Sequence, residues 1–128
     1  MSHERERDTC AVTAEAEPIG DLIETYEQTA LRWEELQPDA SAANAVFEEN
    51  HSIYRRLRGR DEGRSCITRL MNHESEAVRL LAATHSLAWE PDTATAVLEA
   101  IEHGDGPKSV DAKWTLRSYR TGRLNLDW

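Results

Sequence analysis

Two adjacent carboxylate pairs, Glu34-Glu35 and Glu48-Glu49, are the first residues whose type suits chemistry. General acid–base catalysis needs two carboxyl groups with separated pKa values facing one substrate. The spacing argues against that role, because neighbouring residues on a helix point about 100° apart and the backbone preassembles neither pair. His51, His73, His85 and His103 could ligate a metal. None forms a His-x-x-x-His or Glu-x-x-His pair with another ligand on one face, so no metal is predicted. His73 falls in a turn and His103 at a helix end, where a cation suits the dipole. His85 shares a face with Val78 and Ala82 and is read as a hydrogen-bonded, partly buried side chain. Cys10 and Cys66 are too few for a disulfide framework and lack Cys-x-x-Cys spacing, so both are read as free thiols. Nucleophile constellations, Gly-rich phosphate loops and dinucleotide fingerprints do not occur. The expectation is a protein that is not an enzyme and takes no cofactor.

Charge says more. The 128 residues carry 15 Lys and Arg against 24 Asp and Glu, a net charge of −9. Nucleic acid is disfavoured, since neutralising phosphates needs clustered bases. The excess is lopsided: residues 1–63 hold 15 acids and 7 bases, residues 64–128 hold 9 and 8. Between Glu15 and Glu49 ten acids face the single base Arg32. Glu24, Glu27, Glu34, Glu35, Glu48 and Glu49 fall on polar helical faces, either as an ordinary solvated surface or as charge partners for a basic protein. So acidic a surface repels its own copies, which favours a monomer. No window approaches 18 consecutive apolar residues and the first residues contain no apolar signal-peptide core, so neither a membrane span nor secretion is expected and the cytoplasm is the predicted location.

The elements that must position these residues are helices. Residues 1–16 are polar and aperiodic and read as a flexible leader, residues 17–123 as the folded domain, and residues 124–128 as a tail. From Pro18, the residues Ile19, Leu22, Ile23, Tyr26, Ala30, Trp33 and Leu36 recur at the three-and-four spacing of one helical face, ending near Gln37-Pro38. Asp39 can cap a second helix carrying Ala43, Val46, Phe47, Ile53, Tyr54 and Leu57, with Gly59 as a left-handed terminator. So short a link forces an antiparallel hairpin. After Gly63, Cys66, Ile67, Leu70 and Met71 predict a short third helix, then a break at Asn72-His73-Glu74. A fourth helix from about Ser75 is apolar around more than half its circumference, as in a helix packed between neighbours. Pro91 opens a fifth that stops at His103-Gly104. A sixth runs from about Lys108 to Thr121, with Val110, Trp114, Leu116 and Tyr119 as buried candidates and Gly122 as its end. Trp33, Trp89 and Trp114 are assigned to core packing. Trp128, beyond Gly122, either folds back or anchors a partner.

Residues 78–87 and 110–119 align at a 32-residue shift, each the second helix of its pair, a period that belongs to helical-hairpin repeats. The expected fold is all-α: three stacked antiparallel hairpins, about six helices, in an α-solenoid.

A family resemblance sharpens this. Residues 70–83, with the Val78-Arg79 pair leading an Ala-rich helix, resemble the HEAT signature, although Glu74-Ser75 stands where HEAT repeats usually have Asp-Pro. Asn44, residues 53–58, Ala82-Ala83-Thr84-His85, Pro91 and residues 114–119 resemble a small HEAT-like bacterial family first catalogued as a domain of unknown function. Its members occur among immunity proteins of polymorphic-toxin and contact-dependent secretion systems. The resemblance covers roughly residues 18–122. It implies an immunity protein, or antitoxin, that binds one cognate toxin domain 1:1; a nuclease, with its basic substrate groove, would meet the acidic first hairpin. Read with the acidic charge of the first hairpin, the expected contact residues are the six glutamates together with Asn44, Ser52, Glu76 and Arg79 on the second helices of the hairpins. An arginine at the position of Arg79 commonly braces the turn between neighbouring repeats by pairing with a carboxylate or carbonyl, so support of the fold is its favoured reading and partner contact the other. The alternative function is a non-enzymatic scaffold or regulator joining two cellular proteins.

Overall fold

The computed structural model describes residues 18–126. The expected roles of the leader and of Trp128 fall outside them. Among the described residues there are six α-helices and no strand: α1 (Ile19–Glu35), α2 (Ala40–Leu57), α3 (Asp61–Arg69), α4 (Glu76–Ser86), α5 (Pro91–Glu102) and α6 (Ser109–Arg120). No helix is long and apolar enough to cross a membrane. The chain divides into two compact units, Met1–Ile67 and Thr68–Trp128.

In the first unit α1 and α2 pack as the short link requires. Asp39 caps α2 by accepting a hydrogen bond from the Ala42 amide at 3.1 Å. Ile19, Leu22, Tyr26 and Ala30 are buried with Ala43, Val46, Ile53, Tyr54 and Leu57. Polar groups also sit in this core. Asn50 is fully buried, and its side-chain amide donates to the Tyr26 carbonyl at 2.9 Å and to Thr29 Oγ1 at 3.0 Å. Buried amides are tolerated when bonded in this way, and these two bonds tie α2 to α1. His51 lies between Phe47 and Tyr54, with ring centroids 6.4 and 5.3 Å away. Burial, with Tyr54 adding to it, pushes the Tyr26 phenol well above the ordinary tyrosine range.

Two glycines depart from their expected roles. Gly59 is not left-handed; the one positive-φ residue described is Gly122, with φ 74° at the end of α6. Gly63 does not precede α3 but lies buried inside it. A Cβ there would stand 2.7 Å from the Leu57 carbonyl carbon and 2.9 Å from the Leu57 Cα. It is glycine because α3 presses directly onto the end of α2. Cys66, 2% exposed on α3, is disulfide-bonded, which corrects the free-thiol expectation. Bridging depends on how closely two Cα atoms approach in space, which sequence spacing does not reveal.

In the second unit a 3-10 turn (Leu70–Asn72) leads to α4, whose N-cap Ser75 accepts from the Val78 amide at 3.4 Å. Eight of the eleven α4 residues are buried, as its wide apolar surface requires. Pro91 opens α5, where its missing N–H costs nothing. α5 packs against both α4 and α6. Trp33 and Trp89 are half-buried, Trp89 donating from Nε1 to Thr68 Oγ1 at 2.8 Å. Two expected core residues are not in the core: Val110 is 60% and Trp114 53% exposed. The buried line of α6 is Ala112 and Leu116, continued by Lys108 just before the helix, and positions two residues away from it lie round the other side. Tyr119 is half-buried.

Candidate protein-binding surfaces

The first hairpin does present its carboxylates outward. Glu24 and Glu35 lie on the exposed side of α1 and Glu48 on that of α2, flanked at helical spacing by exposed Asn44 and Ser52. The structure thus brings Asn44, Glu48 and Ser52 into one stripe. Glu27 and Glu34 are half-buried on the flank of α1. Glu49 faces Arg32 across the hairpin at 3.9 Å, a half-exposed pair worth little on its own. Among the described residues Glu24, Glu34, Glu35 and Glu48 pair with no cation. No group of three or more His, Cys, Asp or Glu side chains among those residues is placed to hold a metal ion.

Glu76 and Arg79 stand in the second unit and are engaged in holding its turns. The Glu76 carboxylate accepts from the Lys108 amide at 2.8 Å, at the start of α6. Gly106 passes so close that a Cβ would overlap that carboxylate. An acceptor at this point satisfies an orphan amide and suits the helix dipole. Arg79 Nη1 donates to the carbonyls of His73 and Glu74, at 2.8 and 2.9 Å, and so braces the turn that leads into α4. Both residues also line a cleft of about 280 Å³ with Met71, Val97, Ile101 and Gly104. Arg79→Ala is expected to cost about 1.5 kcal/mol by freeing two carbonyls, lowering the melting temperature by roughly 5–10 °C. Affinity for a protein partner should not change, and calorimetric titration of a folded variant checks this; weaker binding would put Arg79 in an interface instead.

Sequence reasoning missed the exposed side of α6. Val110, Trp114, Arg117 and Thr121 follow one another along it at helical spacing. The Arg117 guanidinium lies 5.4 Å from the centre of the Trp114 ring. Trp114 and Arg117 also line an open cleft of about 280 Å³ with Ser118, Thr121 and Arg123. The periodicity that marks a residue as apolar-faced cannot say whether a neighbour covers that face. The one available signal was the basic run in which these residues sit.

A family model described as a domain of unknown function (DUF2019) matches residues 22–119. The chain belongs to this family. The matched span runs from Leu22 in α1 to Tyr119 in α6, and so takes in the six glutamates of the first hairpin and Val110, Trp114 and Arg117 of the α6 surface. No significant match was found among curated proteins or solved structures.

Proposed function

We propose that this DUF2019 protein is a HEAT-like immunity protein, not an enzyme, that neutralises a cognate toxin domain by direct 1:1 binding. The observation that carries the reading is the set of four carboxylates, Glu24, Glu34, Glu35 and Glu48, that no cation of the described residues neutralises. Like charges left together on one hairpin destabilise it, and a basic partner recovers that cost while gaining a faster encounter. A nuclease with a basic substrate groove fits this chemistry. Three stacked hairpins in a HEAT-like solenoid would give the partner a broad surface. The proposed location is the cytoplasm; the disulfide at Cys66 stands on the other side, because cytosolic thiol pools keep most cysteine pairs reduced.

The test is a growth experiment in which the protein encoded immediately upstream is induced alone and together with this chain. Toxicity that this chain suppresses supports the proposal. A toxic neighbour that it fails to suppress contradicts it. A second reading, a scaffold joining two proteins, is favoured by a different observation: the uncovered Trp114 side of α6, opposite in charge to the first hairpin. A harmless neighbour would shift the account to it.

A further inference from the structure

The α6 surface combines three properties. It is the one place among the described residues with large apolar side chains exposed, Val110 and Trp114. It is basic: residues 109–126 contain four Lys and Arg against one acid, Asp111, while Lys108 is buried. Lys108 approaches Asp111 at 3.9 Å and Arg120 pairs with Glu99 on α5, whereas Lys113, Arg117 and Arg123 have no carboxylate partner among the described residues. Third, at the 32-residue shift that aligns α4 with α6, Val110 corresponds to Val78 and Trp114 to Ala82. Val78 and Ala82 are both 0% exposed, so a face fully covered in α4 is open in its counterpart. An end helix of a repeat array normally turns a polar face outward. This one carries an aromatic anchor beside an arginine, the residue types that dominate binding energy at interfaces.

We infer that this side of α6 docks an acidic amphipathic helix of a partner protein, laid along Val110, Trp114 and the cleft beside Arg117. Its apolar residues, at three-and-four spacing, would cover Val110 and Trp114, and its carboxylates would meet Lys113, Arg117 and Arg123. The chain's own chemistry argues against the other occupants. Two copies meeting through α6 would oppose Arg117 and Arg123 to themselves. The acidic first hairpin of a second copy offers carboxylates but no large exposed apolar side chain among its described residues. A nucleic-acid strand would leave Val110 without a partner and would approach a chain of net charge −9. The inference does not depend on the immunity reading, since it concerns a surface of opposite charge.

The test is selection from a phage-displayed library of helical 18-residue peptides, depleted first on the Trp114→Ala protein and then captured on the unaltered one. Enrichment of Leu, Phe or Trp at helical spacing among Asp and Glu is expected. The best peptide, made synthetically, should bind at least tenfold more weakly to Trp114→Ala and to Arg117→Glu, with the melting temperatures of both unchanged. Three results overturn the proposal: no binder that depends on Trp114, enrichment of basic peptides, or a peptide indifferent to Arg117→Glu. Trp114-dependent binding of a 20-nucleotide oligo(dT) would give the surface to nucleic acid instead. Concentration-dependent self-association lost in Trp114→Ala would give it to a second copy.

Discussion

Gly63→Ala is expected to be among the most damaging single-methyl additions the first unit can receive. The new Cβ meets the Leu57 backbone, which has no rotamer to change, so α3 itself must move away from the end of α2. A cost of about 3 kcal/mol follows, a fall of roughly 10–15 °C in melting temperature for a chain of this size. Gly59→Ala is the internal control. There the nearest atom to a Cβ is the Arg56 carbonyl oxygen at 4.0 Å, and φ is not positive. That change should be neutral or stabilising by up to about 1 kcal/mol through the unfolded chain. Thermal denaturation of both proteins decides it, and equal melting temperatures would mean that α3 does not press on Leu57.

The second large effect concerns association. Glu48→Lys with Glu49→Lys reverses two charges on the exposed side of α2 and is expected to slow binding of the proposed toxin partner about tenfold at low salt. The loss should shrink as salt rises, since charges on the surface are screened beyond about 3 Å at 1 M. Glu49 also gives up its 3.9 Å pair with Arg32, but so exposed a pair contributes too little to unfold the hairpin. Stopped-flow association at two salt concentrations measures the effect. An unchanged rate at low salt would remove electrostatic steering from the account.

The helices were legible because their punctuation is chemical. Asp39, Ser75 and Pro91 each act at a helix start where the side chain's own geometry dictates it. The outward carboxylates of α1 and α2 were legible for the same reason, since a period of 3.6 residues fixes which positions face away from the hairpin core. What stayed hidden depends on neighbours distant in sequence. Glycine at 63 serves a close approach, yet in one dimension it resembles a break. Asn50 and Thr29 are polar types that join the core only because α1 brings a carbonyl and a hydroxyl to meet the amide. Val110 and Trp114 have the right types and spacing for a core, and only the packing of α5 on one side of α6 leaves them outside. Glu76 reads as a surface residue, and its bond to the Lys108 amide comes from a turn whose path the sequence does not trace; the support of a turn by Arg79, in contrast, is legible from its place after Val78.

The central claim is that this chain binds a toxin domain tightly enough to silence it, and co-purification tests it most directly. The chain, tagged, is expressed beside the protein encoded immediately upstream, and the pair is passed over a size-exclusion column at low and at physiological salt. The account predicts one 1:1 peak in which the toxin's activity is suppressed. Separate elution, with the neighbour fully active in the presence of excess chain, would contradict it.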